Sequence, residues 1–177
     1  MTGPLERRCI ENALDQLPRL PGDCFISINV SPMLIIEGGL RELLEAFPTE
    51  RLVIEITEHA VVHDYAAVTR ELQPLRARGA RLAVDDAGAG YASFRHILDL
   101  GPDIVKLDMS LTRHVDTDLR RQALAAGMTE FAAKGGFELV AEGVETEGEL
   151  VMLQSFGQRL GQGFFFSRPH VADNLAT

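Results

Sequence analysis

Short runs of apolar and β-branched residues alternate along this chain with longer stretches in which apolar residues recur every three or four positions. The short runs are typical of buried strands, and the longer stretches are typical of amphipathic helices. About six strand-like runs alternate with helices in this way, as expected for parallel strands joined by crossover helices. The pattern predicts an α/β fold, either a β/α barrel or a doubly wound sheet.

The elements can be bounded at the positions where each pattern stops. Strands are expected at about Cys24–Val30, Arg51–Ile56, Ala80–Val84, Asp103–Leu107, Phe137–Ala141 and Arg159–Leu160. Helices are expected at about Leu5–Leu17, Leu40–Phe47, Tyr65–Arg78, Leu119–Lys134 and from Thr146, which has capping-box spacing to Glu149, to about Phe156. No linker rich in glycine and serine interrupts them, which predicts one domain over residues 1–177.

Polar residues stand where most of the predicted strands end. They are Asn29, Glu55, Asp85, Asp86, Lys106 and Glu142, with Glu145 three residues later and Gln162 after the last strand. This arrangement favours the barrel, where the carboxyl ends of all strands open on one face, and no strand-following GxGxxG sequence supports the doubly wound alternative. Crowded carboxylates repel one another unless they share protons or bind cations. We therefore expect a site for hard cations such as Mg²⁺ or Mn²⁺.

The adjacent pair Asp85 and Asp86 could reach two ions about 4 Å apart, which is an arrangement used in phosphoryl chemistry. Lys106 could then position the attacking water, and Glu142 could accept its proton. Taken singly, each residue has an ordinary alternative: a strand-end acid often caps a helix, Gln162 could be a turn residue, and Lys106 could form a surface ion pair. The coincidence over successive strands favours the site.

Composition narrows the function further. The net charge of −9, from 26 acidic and 17 basic residues, argues against binding to long nucleic acid, although a small anionic ligand remains possible. No apolar run approaches the roughly 20 residues of a membrane span and no signal peptide is recognisable, so a cytoplasmic protein is expected. Cys9 and Cys24 are interpreted as reduced, packed thiols, and Phe164–Phe166 as core.

Six segments of the chain match the signatures of a known family in its order. They are Asn29–Pro32, Glu55–Glu58, Asp85–Ser93, Lys106–Asp108, Ala141–Thr146 and Gln162–Gly163. In these segments the chain resembles the EAL family of cyclic di-GMP phosphodiesterases, from about Leu5 to Pro169. The resemblance implies a TIM-like β/α barrel that binds cyclic di-GMP and, with two Mg²⁺ or Mn²⁺ ions, hydrolyses one phosphodiester to linear pGpG.

The resemblance also implies a role for each site residue. Metal ligands would be Asn29, Glu55, Asp85 and Asp86, while Lys106 would orient the water and Glu142 would serve as general base or metal-site carboxylate. Glu145 and Gln162 would complete the site. Glu58 would anchor the glycine-rich loop that follows Asp86, which in the family couples metal binding to a dimer interface.

The chain departs from the family pattern at two places. Ala87 and Ala89 replace the usual Phe and Thr of the glycine-rich loop, a change expected to loosen it. The Glu-Ala-Leu motif, its strand and the arginine after it have no counterpart, so we expect an N-terminally truncated domain with an incomplete barrel. The strand at Cys24–Val30 would then be an open edge that pairs with a second copy or another protein chain.

Two functional hypotheses therefore remain. In the first, the chain is a cyclic di-GMP phosphodiesterase. In the second, it is a catalytically inactive EAL domain that serves as a cyclic di-GMP receptor or a protein-interaction module. A third hypothesis, an unrelated metal-dependent barrel hydrolase, would require the six motif matches to be accidental.

Overall fold

A computed structural model describes residues 3–88 and 93–170 of the chain. The described residues form two compact units. One comprises the residues up to Ile56 together with Ala60–Leu82, and the other comprises Thr57–His59 and Ala83–Pro169. Each unit combines parallel strands with helices, so the predicted α/β class is confirmed.

The first unit carries two parallel strands and four helices. In chain order these are α1 (Gly3–Leu14), β1 (Ile26–Asn29), α2 (Pro32–Ile36), α3 (Gly39–Leu44), β2 (Leu52–Thr57) and α4 (Tyr65–Ala77). Short 3-10 helices at Leu17–Arg19 and Thr49–Arg51 lead into the strands. Ile26 lies opposite Leu52 and Asn29 lies opposite Glu55, so both polar residues are at the carboxyl ends of their strands.

Capping residues and apolar burial account for these elements. Ser31 caps α2 by accepting a hydrogen bond from the Leu34 amide at 3.3 Å, and Pro32 occupies the first helical turn. Asp64 caps α4 in the same way through the Ala67 amide at 2.8 Å. Residues Leu52–Ile56 of β2 are all buried, as expected for a parallel strand covered on both faces.

The second unit contains the ends of four strands that pair in chain order, all parallel. Its elements are β3 (Arg81–Ala87), α5 (Ser93–Leu100), β4 (Ile104–Leu107), α6 (Met109–Thr112), α7 (Leu119–Gly135), β5 (Glu138–Ala141), α8 (Glu147–Ser155) and β6 (Leu160–Gly161). The pairing of β3 with β4 is irregular between Val84 and Ala87. Asp85 and Asp86 are the two residues within this bulge.

The predicted strands and helices are present, with ends shifted by a few residues. The largest strand difference is β3, which continues to Ala87 instead of ending at Val84. Ser31 and Pro32 have the N-cap and first-turn pattern that predicts a short turn where α2 lies, and α2 is a helix of 5 residues. Helices α5 and α6 were not predicted, because α6 is only 4 residues long and α5 adjoins the glycine-rich segment. Residues Ala89 and Gly90 of the predicted loop lie outside the described residues. None of the described helices combines the length and apolar character that crossing a bilayer requires.

Two interpretations of apolar residues were wrong. Cys9 is exposed on α1 instead of packed, whereas Cys24 is partly buried. Phe164, Phe165 and Phe166 are 52%, 41% and 51% exposed instead of forming core. They follow β6, whose two residues are themselves exposed, so the three rings lie at the surface, where Phe165 and Phe166 pack edge to face at 5.6 Å between centroids.

Candidate functional site

Four of the predicted site residues meet in the second unit. Asp85 and Asp86 lie in β3, Lys106 lies in β4, and Glu142 directly follows β5. Lys106 Nζ is 2.8 Å from Asp85 Oδ1 and 2.9 Å from Glu142 Oε1. Its side chain is only 13% exposed, so Lys106 bridges two site carboxylates instead of forming a purely surface ion pair.

Three carboxylates in this cluster could share one cation. Oxygen atoms of Asp85, Asp86 and Glu142 all lie within 4.8 Å of one another. Burial raises the pKa of Asp86, with further raising by the charge of Asp85. Burial also raises the pKa of Glu142, against the opposing effect of Lys106. The site therefore concentrates negative charge that a hard divalent ion would neutralise.

The bulge in β3 explains how neighbouring aspartates reach the same cluster. Successive side chains of a regular strand point to opposite faces. Here Val84 and Ala87 pair with Val105 and Leu107, so the register shifts over the intervening aspartates. Asp86 also has a φ of 58°, in the left-handed region. Both departures from regular strand geometry occur at the two residues whose carboxylates must converge.

Glu58 connects the cluster to the start of the glycine-rich loop. Its backbone amide donates to the Asp85 carbonyl at 2.9 Å, and its Oε2 accepts from the Gly88 amide at 3.0 Å. The side chain is only 3% exposed. Gly88 has a φ of 105°, and a Cβ there would collide with Leu111, so the loop begins with a residue that must be glycine. This geometry supports the predicted anchor role of Glu58.

A pocket of about 280 Å³ opens beside the cluster, and it shares Asp86 and Glu142 with it. Its other lining residues are Asp108, Met109, Arg113, Gly143, Glu145, Gln162, Gly163 and Phe164. The backbone of Gln162 bridges the Ala141 carbonyl and the Val144 amide, at 2.8 and 3.1 Å. The pocket thus places the predicted residues Glu145 and Gln162 next to Glu142.

Arg113 is a pocket residue that the strand-end pattern did not indicate. It follows α6, seven positions after Lys106, and a nitrogen of its guanidinium pairs with Glu145. No motif includes it, and the short helix that positions it was not predicted. The one available signal in the sequence was the position of Arg113 shortly after the strand that carries Lys106.

Glu149 connects the two loops that carry the ion pair between Arg113 and Glu145. Its carboxylate accepts backbone hydrogen bonds from His114 and Glu145, both at 2.9 Å, and from Thr146 at 3.1 Å. Burial favours the neutral acid, but these hydrogen bonds prevail and lower the pKa of Glu149. The capping box predicted for α8 is present, with Thr146 as N-cap. The same carboxylate therefore caps a helix and fixes a pocket wall.

Asn29 and Glu55 belong to the first unit. They are register partners at the ends of β1 and β2, and the Val30 amide donates to the Glu55 carbonyl at 2.9 Å. Glu55 is 5% exposed, whereas Asn29 is exposed. Their positions at neighbouring strand ends agree with the sequence-based expectation, and their role as metal ligands stays a prediction.

Comparison with known proteins places these features in a family. The family model for the EAL domain matches residues 1–169. The chain belongs to the EAL domain family. Among curated relatives of this EAL domain, the cyclic di-GMP phosphodiesterase PA2567 of Pseudomonas aeruginosa is 34% identical over 124 residues, which cover 70% of the chain and 21% of that protein. The cyclic di-GMP phosphodiesterase RocR of the same organism is 32% identical over 81% of the chain and 38% of its own length.

Solved EAL structures have the same fold. Klebsiella pneumoniae BlrP1, in a complex with manganese and cyclic di-GMP, aligns with a TM-score of 0.83 and 34% identity over 94% of this chain and 44% of BlrP1. The EAL domain of Mycobacterium smegmatis DcpA aligns with a TM-score of 0.88 and 27% identity over 98% and 83%. The TIM-like β/α class predicted from the sequence is thereby confirmed. The chain spans about a fifth to two fifths of the two curated relatives named above.

Proposed function

We propose that this EAL domain hydrolyses one phosphodiester of cyclic di-GMP to linear pGpG with the help of two divalent cations, Mg²⁺ or Mn²⁺. The observation that carries the proposal is the cluster of Asp85, Asp86 and Glu142, bridged by Lys106. Relatives are named cyclic di-GMP phosphodiesterases, and BlrP1 holds manganese with the dinucleotide.

The residues of the cluster fit a hard divalent cation. All three offer carboxylate oxygens, which Mg²⁺ and Mn²⁺ prefer, and burial raises the pKa values of Asp86 and Glu142, with a further contribution from neighbouring carboxylate charges. On this geometry we propose Asp85 and Asp86 as cation ligands, and the motif resemblance alone supports Asn29 and Glu55 of the first unit as further ligands. Bound cations would supply an activated water and stabilise charge on the phosphate oxygens.

Side chains of the protein would position and deprotonate the water. The Glu142 carboxylate is partly buried beside those of Asp85 and Asp86, and it would accept the proton of the water. Lys106 holds Glu142 and Asp85 from the same nitrogen and can orient the water between them. Glu145 and Gln162, in the adjoining pocket, would contact the substrate.

A second candidate function is a cyclic di-GMP receptor without turnover. The observation that favours it is Ala87, which replaces the phenylalanine usual in the family and is fully buried at the end of β3. A smaller side chain there packs less against the start of the glycine-rich loop. Binding could then persist while the cations are held too loosely for hydrolysis.

The two functions are separated by assaying the protein with cyclic di-GMP and Mn²⁺ and by measuring pGpG chromatographically. Glu142→Gln should reduce turnover by at least about 100-fold, because it removes both a cation-facing charge and the proposed proton acceptor. Glu147→Gln, an exposed acid on α8, is the matched control and should retain full activity. The hydrolase proposal fails if the wild-type protein produces no more pGpG than Glu142→Gln. Calorimetric binding without turnover would identify the receptor.

We also propose that the chain self-associates through β1. This strand pairs with β2 along one side, and the described residues supply no strand for its other side. Unpaired backbone groups along a strand are a template for pairing with another chain.

A further inference from the structure

We propose that Arg113 binds the dinucleotide and contributes to its selection, by donating a pair of hydrogen bonds to acceptor atoms of the ligand. This inference rests on the proposed binding of cyclic di-GMP. It assigns a ligand contact to a residue outside all the matched motifs. The acceptors are either two phosphate oxygens or the O6 and N7 atoms of guanine, both of which suit the planar fork of an arginine.

The charge of the pocket is the first argument. Four carboxylates line it, from Asp86, Asp108, Glu142 and Glu145, whereas Arg113 alone among its described lining residues is cationic. Cyclic di-GMP carries two phosphate charges, which these carboxylates would repel. Cations bound by the cluster of Asp85, Asp86 and Glu142 would offset part of that repulsion, and Arg113 provides positive charge on the pocket wall.

The hydrogen bonding of Arg113 is the second argument. One guanidinium nitrogen pairs with Glu145, and the side chain is 42% exposed. Its Nε is buried and has no hydrogen-bond acceptor among the described residues, and the same holds for the neighbouring Thr112 hydroxyl. Buried donors in native proteins almost always have a partner. A small shift of the Arg113 side chain toward a ligand would give Nε and a terminal nitrogen two acceptors at once.

The support beneath Arg113 is the third argument. The Glu149 carboxylate accepts hydrogen bonds from the backbone amides of His114 and Glu145. One buried carboxylate therefore fixes both the residue that follows Arg113 and the residue with which Arg113 forms its ion pair. His114 has a φ of 59°, in the left-handed region that residues other than glycine adopt uncommonly. Holding an arginine in this way reduces the entropy lost when it binds a ligand.

The size of the pocket limits what Arg113 can contact. A volume of about 280 Å³ lies below the range usual for complete small-molecule sites. The pocket would therefore hold one part of the dinucleotide, next to the carboxylate cluster. Asp86 and Glu142 belong to both the pocket and the cluster. Either a phosphate with its sugar or one guanine base fits this description, and kinetics can distinguish them.

The test measures kcat and KM of the wild-type protein, Arg113→Met and Arg113→Lys in the presence of Mn²⁺. The substrates are cyclic di-GMP, cyclic di-AMP and bis(p-nitrophenyl) phosphate. Loss of a bidentate contact should raise KM for cyclic di-GMP by about tenfold to hundredfold and leave kcat within about threefold. If Arg113 contacts phosphate, KM for cyclic di-AMP rises in proportion and Arg113→Lys recovers part of the loss. If Arg113 contacts guanine, the preference for cyclic di-GMP over cyclic di-AMP falls and Arg113→Lys does not recover it.

Controls separate this inference from the proposed function. Arg120→Met removes one exposed positive charge on α7 and should leave all constants within about twofold. If the wild-type protein binds without turnover, calorimetric Kd values for the two cyclic dinucleotides replace KM. Unchanged constants in both Arg113 variants overturn the inference alone, as does a fall in kcat without a change in KM, or unfolding of both variants. A wild-type protein that neither binds nor hydrolyses cyclic di-GMP overturns the proposed function and this inference with it.

Discussion

At the scale of single residues, two features of Asp86 affect stability. Its backbone is in the left-handed region, and its carboxylate is repelled by the charge of Asp85. Asparagine tolerates that backbone conformation, whereas alanine gains steric strain of about 1 kcal/mol. We expect the free energy of unfolding of Asp86→Asn to equal that of the metal-free wild-type protein or to exceed it by a few tenths of a kcal/mol, since the charge of Asp86 is only partly buried and solvent still screens it. Asp86→Ala should be about 1 kcal/mol less stable than Asp86→Asn. Urea unfolding in EDTA measures both differences.

Asp99 provides the matched pair of control substitutions. It lies within α5, where alanine favours the helix more than asparagine does, so the order of the two variants should reverse. If Asp86→Ala is as stable as Asp86→Asn, the left-handed conformation imposes no strain, and the geometric account of the cluster is wrong.

The site was predictable wherever it depended on strand ends. Asp85, Lys106 and Glu142 end or follow parallel strands, whose carboxyl ends share an edge, and the structure brings them together. The β3 bulge was not predictable, because register shifts depend on pairing with β4 and not on the local pattern. Arg113 was missed for a related reason, since the four-residue helix before it has no periodicity to detect.

At the scale of elements, Arg51 fastens the segment before β1 to the start of β2. Its Nε donates to the Cys24 carbonyl at 2.8 Å, and a terminal nitrogen donates to the carbonyls of Pro21 and Leu20 at 2.5 and 3.2 Å. Charged hydrogen bonds of this kind contribute about 1.5–3 kcal/mol when partly buried. We expect Arg51→Met to lose about 2–3 kcal/mol of unfolding free energy and Arg51→Lys to recover less than half, because an ammonium cannot reproduce the planar fork.

Arg70→Met is the control, since Arg70 is 68% exposed and forms only a surface ion pair with Glu71 in the described contacts. Its effect should stay within about 0.5 kcal/mol. Full stability of Arg51→Lys in urea unfolding would show that positive charge alone, without the fork geometry, supports this segment.

Elements with strong local signals were the predictable part of the fold. The capping box at Thr146 located the start of α8, and the apolar pattern up to Arg78 placed the end of α4 within one residue. Short helices such as α2 and α6 are stabilised by caps and tertiary packing more than by periodicity, so an apolar pattern does not reveal them. The exposed Phe164–Phe166 run shows the converse limit, because hydrophobicity alone does not say what covers a side chain.

At the scale of the whole molecule, a net charge of −9 and a carboxylate cluster couple stability to pH and cations. Asp86 and Glu142 have raised pKa values in the folded state, so the folded protein binds more protons than the unfolded chain in that pH range. Their contribution to the stability of the metal-free protein therefore falls as pH rises through these pKa values. Mn²⁺ competes with the protons, and its stabilising effect should grow from pH 5 to pH 8.

Thermal unfolding at both pH values, with Mn²⁺ or with EDTA, checks this expectation. Mn²⁺ at one hundred times its Kd should stabilise the protein by about 2.7 kcal/mol at pH 8. Each kcal/mol corresponds to about 2–4 °C in Tm for a chain of this size. Asp86→Asn should lose most of the shift, whereas Glu147→Gln should keep it. A Tm shift that is equal at pH 5 and pH 8 would mean that Mn²⁺ binds away from the titrating carboxylates.

The proposed self-association through β1 can be tested by a substitution at one exposed position of that strand. Ser27 lies in β1 with its side chain exposed, and a lysine there would oppose the pairing of β1 with a second copy by charge repulsion and desolvation. We expect the sedimentation coefficient of the wild-type protein to rise with concentration and Ser27→Lys to reduce that rise. Gln73→Lys, an exposed change on α4, controls for the added charge. A wild-type monomer at every concentration would contradict the proposal. Equal association of the two lysine variants would also contradict it, because a substitution on β1 should weaken pairing along β1 more than a substitution on α4 does.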